Sequence, residues 1–132
     1  LAGTKKFIEA PRRKRKILGG GMRQTGILAA AGILAIEKMT KRVGEDHEHA
    51  LYLAGLLSEI PGLEVFPDDV HINMVFLKIH KPVQPQELTE ALKGKGILVN
   101  PPENGAMRLV THYYIGKEQI EKTVSEFRNI LG

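Results

Sequence analysis

Two cations flank a glycine triplet in the run Lys16-Ile17-Leu18-Gly19-Gly20-Gly21-Met22-Arg23-Gln24. Glycine reaches backbone conformations closed to other residues, including positive φ. The apolar segment Gly26 to Ile36 follows directly. Such a run could offer two positive charges and bare backbone N–H groups to an anion at a helix entrance. A dianionic phosphate needs that combination of fixed cations and donors. Composition alone equally allows Lys16 and Arg23 to be solvated helix-end charges. A second candidate is Arg108, inside the apolar stretch Ala106-Met107-Arg108-Leu109-Val110-Thr111. Strand alternation puts it on one face with Ala106 and Val110. Its planar guanidinium fork suits a carboxylate, and a solvent-facing strand arginine is the plain alternative.

Other chemistry-bearing residues lead less far. His47 and His49 lie two apart on a helical pattern, so they point in different directions and do not readily share a metal. His71 and His80 bracket a strand pattern, and no metal site is expected from either pair. His112 follows the Arg108 strand and reads as structural support for its end. Gly21-Met22-Arg23-Gln24-Thr25-Gly26 has P-loop glycine spacing but lacks the following Lys-Ser/Thr, which that mode of nucleotide binding needs. The basic run Arg12 to Lys16 could contact nucleic acid, but no aromatic platform or recognised binding module accompanies it.

The elements that must position these residues follow from periodicity. Gly3-Thr4 opens a short helical stretch, Pro11 can restart a helix as its first residue, and the glycine triplet must end it. Met22 to about Arg42 reads as one long helix, apolar on every side in its first half and so a buried one. Gly44 closes it. A helix with Glu45 and Asp46 in its first turn carries the stripe Ala50, Leu53, Ala54, Leu57 and Ile60. Leu63 to Phe66 and Ile72 to Ile79 are strands, the second nearly continuous in apolar residues and so central in a sheet. A helix starts at Pro85 and ends at Gly94 or Gly96. Ile97 to Val99 and Ala106 to Thr111 read as two strands around a turn-rich connection. The last helix runs from Lys117 to Leu131. Three helical stretches followed by β-β-α-β-β-α indicate an α/β or α+β sandwich, with helices on one side of a small sheet.

At 132 residues the chain fits one domain or part of a larger one. With 42% apolar and 26% charged residues it has ample core and an ordinary charged surface. It contains no cysteine, which excludes disulfides and thiolate zinc sites. The apolar run Gly26 to Ile36 is too short to span a bilayer, and Lys5 to Lys16 is too polar for a signal peptide. Charge is uneven: Leu1 to Arg23 holds eight Lys/Arg and one acid, so the rest carries −3 of the total +4. The basic character belongs to one segment.

The literal run Arg-Lys-x-x-Gly-Gly-Gly-Met-Arg-Gln-x-Gly-Ile-x-Ala-Ala-Ala-Gly, Arg15 to Gly32, closely resembles the low-specificity L-threonine aldolases, which are pyridoxal-phosphate enzymes. Asn73 to Phe76 and Met107 to His112 extend the resemblance, which matches the C-terminal portion of such an enzyme. It implies the aspartate-aminotransferase-like fold of type I pyridoxal-phosphate enzymes. Residues 1–44 would end the large cofactor domain and 45–132 would form the small C-terminal domain. It implies retro-aldol cleavage of L-threonine or L-allo-threonine to glycine and acetaldehyde, in a cytoplasmic homo-oligomer, usually a tetramer. Lys16 and Arg23 would then lie near the cofactor phosphate of a neighbouring subunit, and Arg108 would clamp the substrate α-carboxylate. The family's cofactor-bearing lysine lies on a Ser-Lys-Gly segment upstream of the stretch matching Leu1, so this chain alone is expected to be inactive. The family often has aspartate where this chain has Tyr114. A non-catalytic oligomerisation or binding domain, or a basic nucleic-acid module, are the other readings.

Overall fold

A threonine, a proline and a glycine shape the first helix of the computed structural model, which describes Leu1 to Gly132. Helix α1 spans Lys5–Ile17. The Thr4 hydroxyl accepts the Phe7 N–H at 3.3 Å, satisfying one orphan donor of the first turn. Pro11 does not restart the helix but sits inside it. Its missing N–H leaves the Phe7 carbonyl without its partner. No residue of α1 is buried, so water can serve that carbonyl instead. Lys14, Arg15 and Lys16 occupy the last turn, where the helix dipole favours cations.

The glycine triplet ends α1 by a specific device. Gly19 takes φ 83°. From there its N–H donates to the Lys16 carbonyl at 3.2 Å, and the Gly20 N–H donates to the Arg15 carbonyl at 2.8 Å. Two orphan carbonyls of the last turn are thereby satisfied. Helix α2, Gly26–Glu37, is shorter than the pattern suggested: Met22 to Gln24 stay outside it. A 3₁₀ turn, Met39–Arg42, follows, and Gly44 falls in the first turn of helix α3, Val43–Ser58, instead of closing the helix before it. The chain divides into two compact units, Leu1–Thr40 and Lys41–Gly132.

The second unit holds the core. Strands β1 (Leu63–Val65), β2 (Met74–Ile79) and β3 (Met107–Val110) form an antiparallel sheet with β2 in the centre. Helices α4 (Pro85–Gly94) and α5 (Lys117–Leu131) complete the element order β-β-α-β-α. Val75 and Leu77 of β2 and Met107 and Leu109 of β3 turn inward onto Leu53 and Leu57 of α3, Leu88 and Leu92 of α4, and Ile120, Val124 and Phe127 of α5. All three helices thus cover one sheet face, and the other carries the alternate, outward residues.

Two strand expectations are corrected. Ile97 to Val99 is not a strand. Gly96, at φ 79°, turns the chain back so that the Ile97 N–H donates to the Leu92 carbonyl at 3.0 Å and the Gly96 N–H to Lys93 at 2.9 Å. The segment is thus committed to capping α4 and not to a ladder. β2 begins at Met74 and not at Ile72, because Ile72 adopts φ 59°, outside the extended region. The His47 Nδ1–H donates to the Ile72 carbonyl at 2.8 Å and anchors that turn.

Candidate functional site

The phosphate candidate lies in the first unit, where Lys16 and Arg23 belong to one glycine turn. A Cβ on Gly20 would stand 2.8 Å from the Arg15 Cγ and 3.1 Å from the Arg15 carbonyl oxygen, so only glycine fits there. A Cβ on Gly21 would meet the Lys16 Cγ at 3.2 Å. The Lys16 stem therefore lies over Gly21, two residues before Arg23. Both cations are exposed and neither forms an ion pair within the chain. One part of the expectation changes: the N–H groups of Gly19 and Gly20 are spent on the end of α1. Backbone donors for an anion must come from Gly21 to Arg23. The five residues Arg12 to Lys16 are about 100° apart around α1, so they encircle the helix and form no single basic stripe for a nucleic-acid backbone.

The carboxylate candidate lies in the second unit. Burial alternates along β3, with Met107 and Leu109 inside and Arg108 and Val110 outside. Arg108 stands opposite Phe76 of β2, and Val110 opposite Met74, in the antiparallel register. No carboxylate pairs with Arg108. The acid on the β1 stretch of this sheet, Glu64, is held by Lys78 at 3.9 Å and His80 at 2.9 Å. Beside the free edge of β3 opens a cavity of about 480 Å³, which Arg108, Asn100, His112, Gln119 and Thr123 help to line.

Local bonds hold the exit of β3 in place. Thr111 is fully buried; its hydroxyl donates to the Asp46 carbonyl at 2.6 Å, and its N–H to the Asn73 carbonyl at 3.0 Å. The Asn73 amide donates in return to the Thr111 carbonyl at 2.6 Å. His112 Nδ1 accepts the Tyr114 N–H at 3.3 Å, which gives the imidazole a role in the turn after the strand. Nearby, at the N-cap of α3, Arg42 forks onto Asp46 at 2.8 Å and Glu45 at 3.3 Å and stacks on the Tyr113 ring, 4.8 Å from its centroid. The hydrogen bond to Asp46, above all, raises the Arg42 pKa further above its ordinary value. Thr111, Asn73, Phe76 and Arg42 were not singled out by sequence reasoning. Strand parity carried one usable signal, since Thr111 shares a face with Met107 and Leu109.

The family model for beta-eliminating lyases matches residues 1–80, which include the glycine turn, Lys16 and Arg23. The chain belongs to the beta-eliminating lyase family. Relatives of this chain include the low specificity L-threonine aldolase of Escherichia coli K12, 37% identical over 131 residues. That alignment covers 99% of this chain and 38% of the relative. A probable low-specificity L-threonine aldolase 2 of Arabidopsis thaliana is 36% identical over 134 residues, covering 98% of this chain and 37% of the relative. The chain thus spans about two-fifths of the length of these relatives, in their C-terminal part. Among solved structures, an inhibitor-bound glycine decarboxylase (P-protein) of the glycine cleavage system matches 64% of this chain and 20% of its own, with TM-score 0.55 at 21% identity. At that identity the likeness speaks to the fold alone.

Family membership brings pyridoxal 5'-phosphate with it as cofactor. The glycine turn fits the phosphate of that group: two unpaired cations flank a backbone stretch where a Cβ at Gly20 has no room. No helix of the structure is long and apolar enough to cross a membrane.

Proposed function

We propose that the chain is the C-terminal portion of a low-specificity L-threonine aldolase, which cleaves L-threonine or L-allo-threonine to glycine and acetaldehyde. The observation that carries the reading is Arg108, an outward-facing guanidinium with no carboxylate of its own, in a chain 37% identical to such an enzyme along 99% of its length. Arg108 binds the substrate α-carboxylate through both arms of its fork and so orients the Cα–Cβ bond for cleavage. Lys16 and Arg23 hold the cofactor phosphate of a neighbouring subunit in a cytoplasmic homo-oligomer, with the stem of Lys16 braced on Gly21. When bound, the cofactor stores the electron pair left at Cα as the aldehyde departs. The lysine that carries the cofactor lies outside these residues, so Leu1 to Gly132 alone is inactive. Residues 1–44 then end the large cofactor domain and 45–132 form the small one.

Aldehyde release coupled to an NADH-dependent alcohol dehydrogenase tests the reading in the full-length protein. Acetaldehyde from at least one threonine diastereomer is expected, and none from the isolated chain. Separate Lys16→Ala and Arg23→Ala exchanges should weaken cofactor retention more than amino-acid binding. Full-length protein that retains pyridoxal phosphate yet releases no aldehyde from either diastereomer would refute the aldolase assignment.

A further inference from the structure

The cavity beside β3 has a cause in the sequence. Asn104 and Gly105, at φ 52° and 81°, form a two-residue hairpin turn. Glu103 and Ala106 flank it and exchange both backbone hydrogen bonds, at 2.9 and 3.1 Å. The next such rung would fall two residues further along each arm, at Pro101 opposite Arg108. Pro101 has no N–H to give, so the ladder ends after one rung and the segment before it parts from β3. Residues 96–100 then line one wall of the cavity, and Arg108 to His112 line the other.

Most neutral polar side chains around this cavity are already engaged. The Thr111 hydroxyl donates to the Asp46 carbonyl, the Thr123 hydroxyl donates to the Gln119 carbonyl at 2.7 Å, and Gln119 Oε1 accepts the Gly116 N–H at 3.0 Å. Asn100 differs, because neither its amide nor its backbone N–H is hydrogen-bonded within the chain. Its backbone is nevertheless fixed. The Ile97 N–H is held by Leu92, Ile97 and Val99 pack on the core, and a residue that precedes proline is kept extended. No Asp or Glu lines the cavity, and the two cations that do, Arg108 and Lys122, form no ion pair.

From this cavity we infer that Asn100 is a second ligand of the amino-acid carboxylate, binding it together with Arg108. A carboxylate offers about four lone-pair sites, and the guanidinium fork takes two of them. The Asn100 amide donates an N–H to one of the others from the opposite wall. A neutral amide adds this bond without competing for Arg108, which an acid at the same place would do. The inference rests on the carboxylate role proposed for Arg108 and adds the residue that shares its ligand.

The test uses the full-length protein with its cofactor, titrated with glycine and with methylamine while the cofactor's visible absorption is followed. Methylamine keeps the amine of glycine and lacks the carboxylate. Asn100→Ala should weaken glycine binding by about 10- to 150-fold, the range for a hydrogen bond to a charged group, and leave methylamine binding unchanged. Asn100→Asp should weaken glycine binding further, because its carboxylate repels the ligand and pairs with Arg108. Asn100 is exposed, so Asn100→Ala should keep Tm within about 4 °C of the parent. Arg108→Ala is measured alongside. If it lowers glycine binding selectively while Asn100→Ala does not, the inference for Asn100 is overturned and the Arg108 reading stands. An equal loss of glycine and methylamine in Asn100→Ala would also overturn it, since the residue would then act on the site as a whole. If neither exchange separates glycine from methylamine, the carboxylate role of Arg108 fails and the inference falls with it.

Discussion

Replacing Arg108 by alanine should separate function from folding. Its side chain stands on the outer sheet face and forms no ion pair, so its removal should change stability by no more than about 0.5 kcal/mol. For a domain of roughly 60–100 residues that is a Tm shift of at most about 4 °C. The neighbouring residue is the control. Leu109 is 5% exposed within the core, and Leu109→Ala should cost about 2–5 kcal/mol, lowering Tm by about 8 °C or more. Activity should respond in the reverse order. Losing a charge-assisted bidentate contact in a desolvated site costs about 2–4 kcal/mol, roughly a 30- to 1000-fold fall in kcat/KM, with cofactor content near normal. Arg108→Lys should rescue poorly, because a point charge replaces a fork. The assay is steady-state aldehyde release by the full-length protein, with calorimetry and cofactor absorbance on the same preparations. Unchanged kcat/KM would make Arg108 an ordinary surface residue. A Tm loss as large as that of Leu109→Ala would make it a structural one.

Thr111→Val keeps the shape of a fully buried side chain but removes the donor to the Asp46 carbonyl, and should cost about 1 kcal/mol, read as a Tm fall of roughly 4–8 °C; an unchanged Tm would mean that the bond does not stabilise the fold. The Tyr52 phenol donates to Glu121 at 3.0 Å, and this bond, ahead of burial, raises its pKa above the ordinary 10.0. A raised folded-state pKa stabilises the fold fully below pH 10 and loses that contribution as pH climbs through the folded value, so Tyr52→Phe should flatten Tm against pH above about 10; parallel curves for the two proteins would refute the coupling. Helix α2 exposes Ile27, Leu28, Ile33, Leu34 and Ile36, each more than half accessible, so the purified chain should self-associate at micromolar concentration. A stable monomer in sedimentation velocity would show that this apolar surface needs no cover.

What could be read from the sequence was set by short-range order. Helix α5 begins at Lys117 and ends at Leu131 as its stripe of Ile120, Val124, Phe127 and Leu131 requires, and β2 is the central strand that its apolar run implies. The glycine turn was legible for the same reason, since positive φ at Gly19 follows from residue type and from the end of a helix. Outcomes that depend on competition between partners were not legible. Ile97 to Val99 has strand composition, yet its first N–H closes the α4 cap, and propensity does not rank those two bonds. Pro11 stays inside α1 because an exposed helix can give the orphaned Phe7 carbonyl to water, a fact about burial and not about residue type. Thr111 meets Asp46 across 65 residues of chain, and Phe76 stands opposite Arg108 in a register that only the folded sheet defines. Periodicity assigns a residue to a face of its own element. Which residue stands opposite depends on how distant elements pack, and that long-range choice belongs to the tertiary structure.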